Sequence, residues 1–413
     1  MRIAVVGSGI AGLGASWLLS KSHEVVVFEA NDRLGGHTHT HQVAQGGRDY
    51  AVDSGFIVFN RDNYPLLNRL FEQLGVASRP TTMGFSVQDA RNGLEYNATR
   101  LATMFCQRRN LVSPAFLRMV GEIMRFYREA PALLAEPGEG PALGDYLDAR
   151  GYSQLFIEDH IVPMASALWS SPPSTIARFP LKYLLRFMDN HRMLQVENRP
   201  EWRVVDGGSS TYIRAIQSDW SAQVRLSSPV RSVRRSDAGV VLATGDGEET
   251  FDQVVLACHS DDALALLADP DAEEAAVLGA IQYQDNDTVL HTDARLLPTR
   301  RAAWAAWNAH VPAAADAPCT VSYCMNILQS LDSPEPFVVT LNRSADIAPE
   351  RVLARMRYRH PVYTHASVAA QAMRARIQGR RRTWFAGAYW GFGFHEDGLR
   401  SGVDVATALG ETW

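Results

Sequence analysis

The stretch Val5-Val6-Gly7-Ser8-Gly9-Ile10-Ala11-Gly12 constrains the fold more than any other part of the sequence. A short apolar run over residues 2–6 ends in glycine, and residues 10–19 then place their apolar side chains at helical spacing. Three glycines in this pattern serve a tight turn, close approach of backbone to a pyrophosphate, and close packing of helix on strand. The helix start presents free N–H groups and a positive dipole end to phosphate. Residues 23–29 (HEVVVFE) are almost continuously Val and Phe, the pattern of a parallel strand buried on both faces. Glu29 ends this strand about twenty residues after the loop, where an acid accepts from a ribose 2′-hydroxyl and repels a 2′-phosphate. The unit is a dinucleotide-binding strand, helix and strand, and NADP is disfavoured in it.

A chain of 413 residues with 46% apolar side chains can bury two or three cores. Its formal charge of -5 provides no basic field, so nucleic acid is not an expected partner. Positive charge is almost all arginine, because Lys21 and Lys182 are the only lysines. Cys106, Cys258, Cys319 and Cys324 form no C-x-x-C pair, which argues against zinc and fits a reducing cytoplasm. No run of about twenty apolar residues occurs, and the run ending at Val6 is too short for a signal peptide. The expectation is a soluble cytoplasmic protein, with contact to the inner membrane face from the side left open.

Helical patterns are expected over residues 111–136, 143–152 and 180–192. A further helix is expected over 209–218, with strands at 223–226, 230–235, 239–244 and 253–257. Residues 287–341 contain the extended segments VLHT, CTVSYCM and FVVTLN, and the chain closes with a strand at 383–386 and a helix at 396–409. There is no internal repeat, and the alanine-rich residues 313–317 are the largest low-complexity patch. A helical block therefore separates two α/β pieces.

Two further strings bear on the ligand. After Glu29 comes Ala30-Asn31-Asp32-Arg33-Leu34-Gly35-Gly36-His37, a second glycine pair suited to backbone packed against a pyrophosphate, with Arg33 as an available cation. Near the C-terminus, Phe385-Ala386-Gly387 runs through Tyr389, Trp390 and Phe392 into Phe394-His395-Glu396, where a helix starts with acids in its first turn. A positive helix end stabilises a neighbouring group that gains negative charge.

The string E-A-x-x-R-x-G-G and the terminal string together resemble the superfamily of flavin amine oxidases, protoporphyrinogen oxidases, phytoene desaturases and Rab GDP-dissociation inhibitors. Val52-Asp53-Ser54-Gly55-Phe56, Gly207-Gly208 and Ser228-Pro229-Val230 resemble further landmarks of it. The resemblance implies FAD held by Gly7, Ser8, Gly9, Ile10, Ala11, Gly12, Glu29, Ala30, Arg33, Gly35, Gly36, His37, Thr38, Gly55, Phe56, Val230, Ala257, Gly387, Phe394, His395, Glu396 and Leu399. It implies an α/β fold: a Rossmann-like FAD-binding domain (1–85, 200–280 and 375–413) and an α+β substrate domain of mixed sheet and helices (86–199 and 281–374).

The sequence departs from amine oxidases in this superfamily. Tyr389 stands where those enzymes carry an acid, neither lysine matches one near the flavin, and no Cys or His precedes the aromatic loop for covalent attachment. FAD is expected to be non-covalent. The tail AYWGFGFHEDGLRSG is most similar to bacterial proteins encoded near cyclopropane-fatty-acyl-phospholipid synthases, which implies a fatty acyl or isoprenoid chain oxidised by hydride transfer to flavin N5, with O2 or a quinone as acceptor. An amine or amino-acid oxidase is the second reading, and a non-redox lipid- or prenyl-binding module the third.

No catalytic acid or base is assigned. Tyr389, Trp390 and Phe392 are the candidates facing substrate, and Trp304, Trp307 and Tyr323 are further candidates to line an apolar tunnel. His37, His39 and His41 alternate with threonine, which suggests a polar strand surface, and no metal is expected. The stretch from Phe116 to Tyr127, with Arg118, Arg125 and Arg128, has the pattern of an amphipathic surface helix, with docking on anionic lipid as the alternative.

Overall fold

Five short strands pair in parallel, in the order Gln223–Arg225, Glu24–Phe28, Arg2–Val6, Gln253–Leu256 and Thr383–Phe385. Their near-continuous apolar sequences follow from burial on both faces. Ile3, Val5, Val25 and Val27 enter one core, while Ala4, Val6, Val26 and Phe28 enter the other. The first core is covered by the helices Ile10–Leu19, Ser210–Ser218 and His395–Ala408; the second is covered by an antiparallel meander, Ser232–Ser236, Gly239–Thr244 and Gly247–Phe251. The computed structural model describes residues 1–314 and 320–413; Cys319 and the last part of the alanine-rich patch lie outside the described residues.

The helices Ile10–Leu19 and His395–Ala408 lie against each other along a line of glycines. A Cβ on Gly402 would sit 2.3 Å from the Ala11 carbonyl oxygen, one on Gly398 2.7 Å from Ile10 Cγ2, and one on Gly14 2.5 Å from Leu399 Cδ1. Any side chain there would push the helices apart. The contact brings the start of the last helix to the same end of the parallel sheet as the glycine loop.

The other half of the molecule is built on a seven-stranded sheet, in the order Val352–Val362, Gln282–His291, Val338–Leu341, Thr320–Cys324, Trp307–Val311, Phe85–Asp89 and Leu94–Asn97. All its pairings are antiparallel except that of Trp307–Val311 with Phe85–Asp89, next to the edge strand Leu94–Asn97. The helices Pro114–Ala135, Leu143–Ala149, Val162–Trp169 and Leu181–Asn190 form the block beside it, around a core that includes Phe116, Phe126, Phe156 and Phe187. Phe85 thus already belongs to this sheet, one residue before the expected boundary. No helix among the described residues is long and apolar enough to cross a membrane.

Several elements differ from their sequence-based bounds for local reasons. The helix expected over 111–136 is a 3-10 turn, Arg108–Val112, and a separate helix from Pro114, because Ser113 caps Phe116 N and proline suits a first helical position. The helix expected over 143–152 stops at Ala149, ahead of Gly151 at φ +65°. His37 and His39 lie before the strand Thr40–Gln45, so only His41 is part of it.

The glycine seam makes a contrast in stability. Gly402→Ala should lower stability by about 1–3 kcal/mol through overpacking. Gly121→Ala, on the exposed face of Pro114–Ala135 with nothing near its added Cβ, should raise it by about 0.5–1 kcal/mol. Denaturant unfolding of the two variants checks the pair, and equal shifts would show that the seam is not tight.

Candidate active site

A single cavity of about 1360 Å³ runs from the glycine loop, past the start of the last helix, into the helical block. Its first half is made by the turn after Arg2–Val6. Gly7, at φ +101°, donates its N–H to the Phe28 carbonyl at 2.8 Å, and a Cβ there would lie 2.8 Å from the Ala257 carbonyl oxygen. A Cβ on Gly12 would lie 2.0 Å from the Gly7 carbonyl oxygen, so this glycine packs and does not itself line the cavity. Gly9 is different: an added Cβ meets no protein atom within 4 Å. No side chain caps the helix at Gly9, so its first N–H groups lack partners within the helix. An anionic group is the natural occupant of that space.

Glu29 is buried and already accepts from Ser8 N (3.0 Å), Ser8 Oγ (2.5 Å), Asn31 N (2.8 Å) and Asn31 Nδ2 (2.7 Å). It holds the loop in shape, and it is the acid that would accept from a ribose hydroxyl of a bound dinucleotide. Arg33 also differs from expectation. Its guanidinium donates to the carbonyls of Thr38 (2.9 Å) and Gly36 (2.9 Å), which ties down the Gly35-Gly36 turn and leaves only its charge beside the cavity. That turn is bound to the loop by Gly35 N to Ser8 O at 3.0 Å. Ala30, Val230, Ala257, Gly387, Ile10 and Ala11 complete this half of the wall.

Farther along, Gly55 crosses the backbone of His37 so closely that a Cβ would be 1.9 Å from its carbonyl oxygen. This places Phe56 flat on His395, with ring centroids 3.7 Å apart and planes 11° from parallel. His395 Nε2 lies 2.9 Å from Thr38 Oγ1 and 3.1 Å from Tyr212 OH, and burial depresses its pKa to about 3. The imidazole is therefore neutral, and Thr38 orients it from behind without lining the cavity. Glu396 does not line it either: its carboxylate accepts from Leu66 N (3.0 Å) and Leu67 N (3.1 Å), capping the helix Pro65–Gln73. Leu399 packs on Gly14. Phe394 and His395 are the residues of this turn that face the cavity.

The second half is apolar, walled by residues such as Met83, Phe85, Met164, Leu168, Phe187 and Met193. Phe392, Trp307 and Tyr323 line it, the last two as an edge-to-face pair at 5.5 Å. Trp390 does not: its Nε1 donates to the Phe385 carbonyl at 3.0 Å and its ring packs on Tyr389 and under Arg374. Trp304 is held by Pro298 and Arg301 away from the cavity. Tyr389 lines the cavity from the parallel-sheet side, deeply buried. Lys182 is bound to the carbonyls of Glu136 and Gly138 at the far edge of the helical block, and Lys21 lies over Trp17, so neither lysine reaches the cavity.

The three alternating histidines separate instead of presenting a polar strand face. His39 and His41 stack at 4.0 Å, while His37 turns between His259 (5.9 Å) and His360 (5.3 Å) in the cavity wall. His259 also sits with Asp261 and Asp262, but Arg359 pairs with both acids. Motif reading missed His259, His360 and Tyr358, because these residues lie on segments without a pattern of their own.

Two outcomes follow from this geometry. Gly9→Ala should leave the unfolding temperature of the apoprotein unchanged yet weaken FAD binding at least about tenfold, since its methyl group fills only ligand space; fluorescence titration with FAD reads this, and unaltered affinity would place the cofactor elsewhere. Burial pushes His37 and His259 down to about 4, and His360 to about 3. Groups lowered in the folded state stabilise it above their unfolded value of 6.5 and lose that contribution as pH falls through 6.5 toward 4. Asp53 and Asp397, raised by burial to about 6, oppose this, since their contribution is lost as pH rises. The more numerous histidines should win, so the unfolding temperature should fall between pH 7 and pH 5; a rise would reverse the assignment.

Comparison with known proteins agrees with this architecture. The model of the family "Flavin containing amine oxidoreductase" matches residues 10–292. AofH of Mycobacterium tuberculosis, a protein named as a flavin-containing monoamine oxidase, is 27% identical over 281 residues, covering 65% of this chain and 59% of that protein. The chain thus spans about three-fifths of this curated relative. Among solved structures, cyclohexylamine oxidase from Brevibacterium oxydans IH-35A has a TM-score of 0.70 at 16% identity, covering 99% of this chain and 98% of that one. A CLA-producing fatty acid isomerase from P. acnes has a TM-score of 0.68 at 16% identity, with the same coverage. At such identities the likeness carries the fold alone, whereas the match over most of the chain carries the family: this protein belongs to the flavin-containing amine oxidoreductases.

Proposed function

We propose that the protein is an FAD-dependent oxidoreductase that oxidises or desaturates an apolar chain, fatty acyl or isoprenoid. The observation that carries this reading is the continuity of the cavity: its apolar half opens directly onto Phe394 and His395, at the flavin end of the dinucleotide site. The residues present fit FAD, with uncapped N–H groups and an unfilled space at Gly9 and a second helix start at the other end of the same cavity.

Bound FAD supplies the hydride acceptor. The chain itself supplies positioning and dryness. Phe56 stacked on His395 gives a rigid wall, and Phe187, Phe392 and Tyr323 narrow the space in which a substrate carbon lies. The methionines Met83, Met164 and Met193 adapt to a flexible hydrocarbon. His395 is neutral and hydrogen-bonded, so it adds no charge to the site. Reoxidation by O2 or a quinone completes the proposal.

FAD is held without a covalent bond in this reading. The cysteine that lines the cavity, Cys258, follows Ala257 on the glycine-loop side, away from Phe394 and His395. A chain enters from a membrane surface, consistent with exposed Leu101, Met124 and Val196 where the cavity meets solvent.

A second reading, an amine or amino-acid oxidase, is favoured by the likeness to AofH and to cyclohexylamine oxidase. The test uses purified holoprotein without oxygen. Fatty acyl or isoprenoid compounds should bleach the flavin and amines should not, and acid precipitation should release all FAD into solution. Bleaching by amines alone establishes the second reading. A colourless protein that takes up no added FAD establishes a non-redox binding module.

A further inference from the structure

The apolar half of the cavity carries an unbalanced positive charge. Arg100 and Arg199 both line it, and among the described residues neither forms an ion pair with a carboxylate. Glu201 lines the same half, but its carboxylate is held by Arg203 at 2.6 Å. Arg199 Nε donates to the Gln195 carbonyl at 3.0 Å, which fixes the base of the guanidinium. Tyr127, on the helix Pro114–Ala135, lines the same half of the cavity; burial raises its phenol, and the nearby Arg199 charge opposes that rise.

His160 adds no negative charge to this wall. It lies on the π-turn Ile157–Ile161, a local widening of the helix that turns its ring toward the cavity. Tyr96 OH donates to the Asp159 carbonyl at 2.6 Å, so its 2.9 Å contact with His160 Nδ1 is made by the imidazole N–H donating to the phenol oxygen. Nε2 then carries only a lone pair, buried and without a partner, and burial together with Arg199 keeps the ring neutral. The charged groups of this half of the cavity are thus Arg100 and Arg199, without carboxylate partners among the described residues, and Glu201, which pairs with Arg203.

We propose that Arg199 and Tyr127, with Arg100 on the same cavity wall, bind the anionic head of an apolar substrate whose chain extends toward Phe392 and Phe394. This rests on the apolar-chain reading above and names the missing end of that substrate. A planar guanidinium holds a carboxylate or phosphate through paired N–H groups, and the phenol adds one more donor. Arg100 and Arg199 are exposed residues, so the head would sit on the solvent side of this half of the cavity with the chain directed inward. A cationic substrate would meet two positive groups and no free carboxylate here.

The test compares four ligands of equal chain length on the FAD-loaded protein: dodecanoate, dodecyl phosphate, dodecanol and dodecylamine, with binding read by calorimetry and by the shift of the flavin spectrum. Dodecanoate or dodecyl phosphate should bind the wild type more tightly than dodecanol, and which of the two does so identifies the anion. Arg199→Gln should weaken that anion about tenfold or more while leaving dodecanol within about twofold, and Arg199→Lys should recover part of the loss. Tyr127→Phe should give a smaller loss of the same selectivity. Anions that bind no better than dodecanol, or an Arg199→Gln protein with unchanged anion affinity, overturn the inference while leaving the apolar-chain reading intact. Failure of every ligand to bind the wild type overturns both.

Discussion

The structure depends on the absence of side chains along one helix pair. Because Gly14, Gly398 and Gly402 carry no Cβ, the first and last long helices of the parallel-sheet half approach to backbone contact. Their N-terminal ends therefore open on one cavity, although nearly the whole sequence lies between them. Two helix starts facing one space favour an elongated ligand with negative charge at one end and a ring that becomes negative at the other. The parallel sheet adds the third requirement, since its central strands end at the crevice where such ligands lie.

Buried carboxylates then lock segments distant in sequence. Asp53 accepts from Ser209 N (2.9 Å), Ser209 Oγ (2.8 Å), Thr40 Oγ1 (2.5 Å) and Gln329 Nε2 (2.9 Å), joining three parts of the chain. Burial alone would drive this acid toward neutrality; four donors make the ionised form tolerable. Glu396 does the same for the helix Pro65–Gln73, and Glu29 for the glycine loop. Glu29 and Glu396, which the motif reading assigns to ligand contact, are thus first of all fasteners of the site, as Asp53 is. Their positions beside the ligand follow because the segments they fasten are its walls.

This explains which parts were legible in the sequence. The glycine loop, the strand ending at Glu29 and the start of the last helix follow from local patterns, and local bonding enforces them. Gly12, Thr38, Glu396 and Leu399 belong to strings that reach the cavity, but Gly12 serves backbone packing, and the side chains of Thr38, Glu396 and Leu399 turn to hydrogen bonding, capping and packing. Direction within a loop has no period, which is why Trp390 turned away while Phe392, two residues on, lines the cavity. The seven-stranded sheet could not be ordered from sequence, since its one parallel pair among the described residues joins Phe85–Asp89 to Trp307–Val311 across the entire helical block. The methionines and phenylalanines of the apolar half come from segments with no shared motif, and only the closed fold collects them.

Family membership and substrate are set by different residues. The helix seam, the glycine loop and the Asp53 junction decide that a flavin-type dinucleotide site forms, and they would serve an amine oxidase equally well. What separates the readings is the charge left over once internal pairs are formed. Both lysines lie outside the cavity, Glu201 is paired with Arg203, and Arg100 and Arg199 keep their charge without a carboxylate partner among the described residues. A site for an ammonium head requires the opposite balance, because a buried cation is tolerated only beside a compensating acid or an aromatic face. The aromatic rings Phe187, Phe392 and Tyr323 offer such faces, but they do so in the same space as the uncompensated arginines. On this balance of charge the polar end proposed for the substrate is an acid and not an amine.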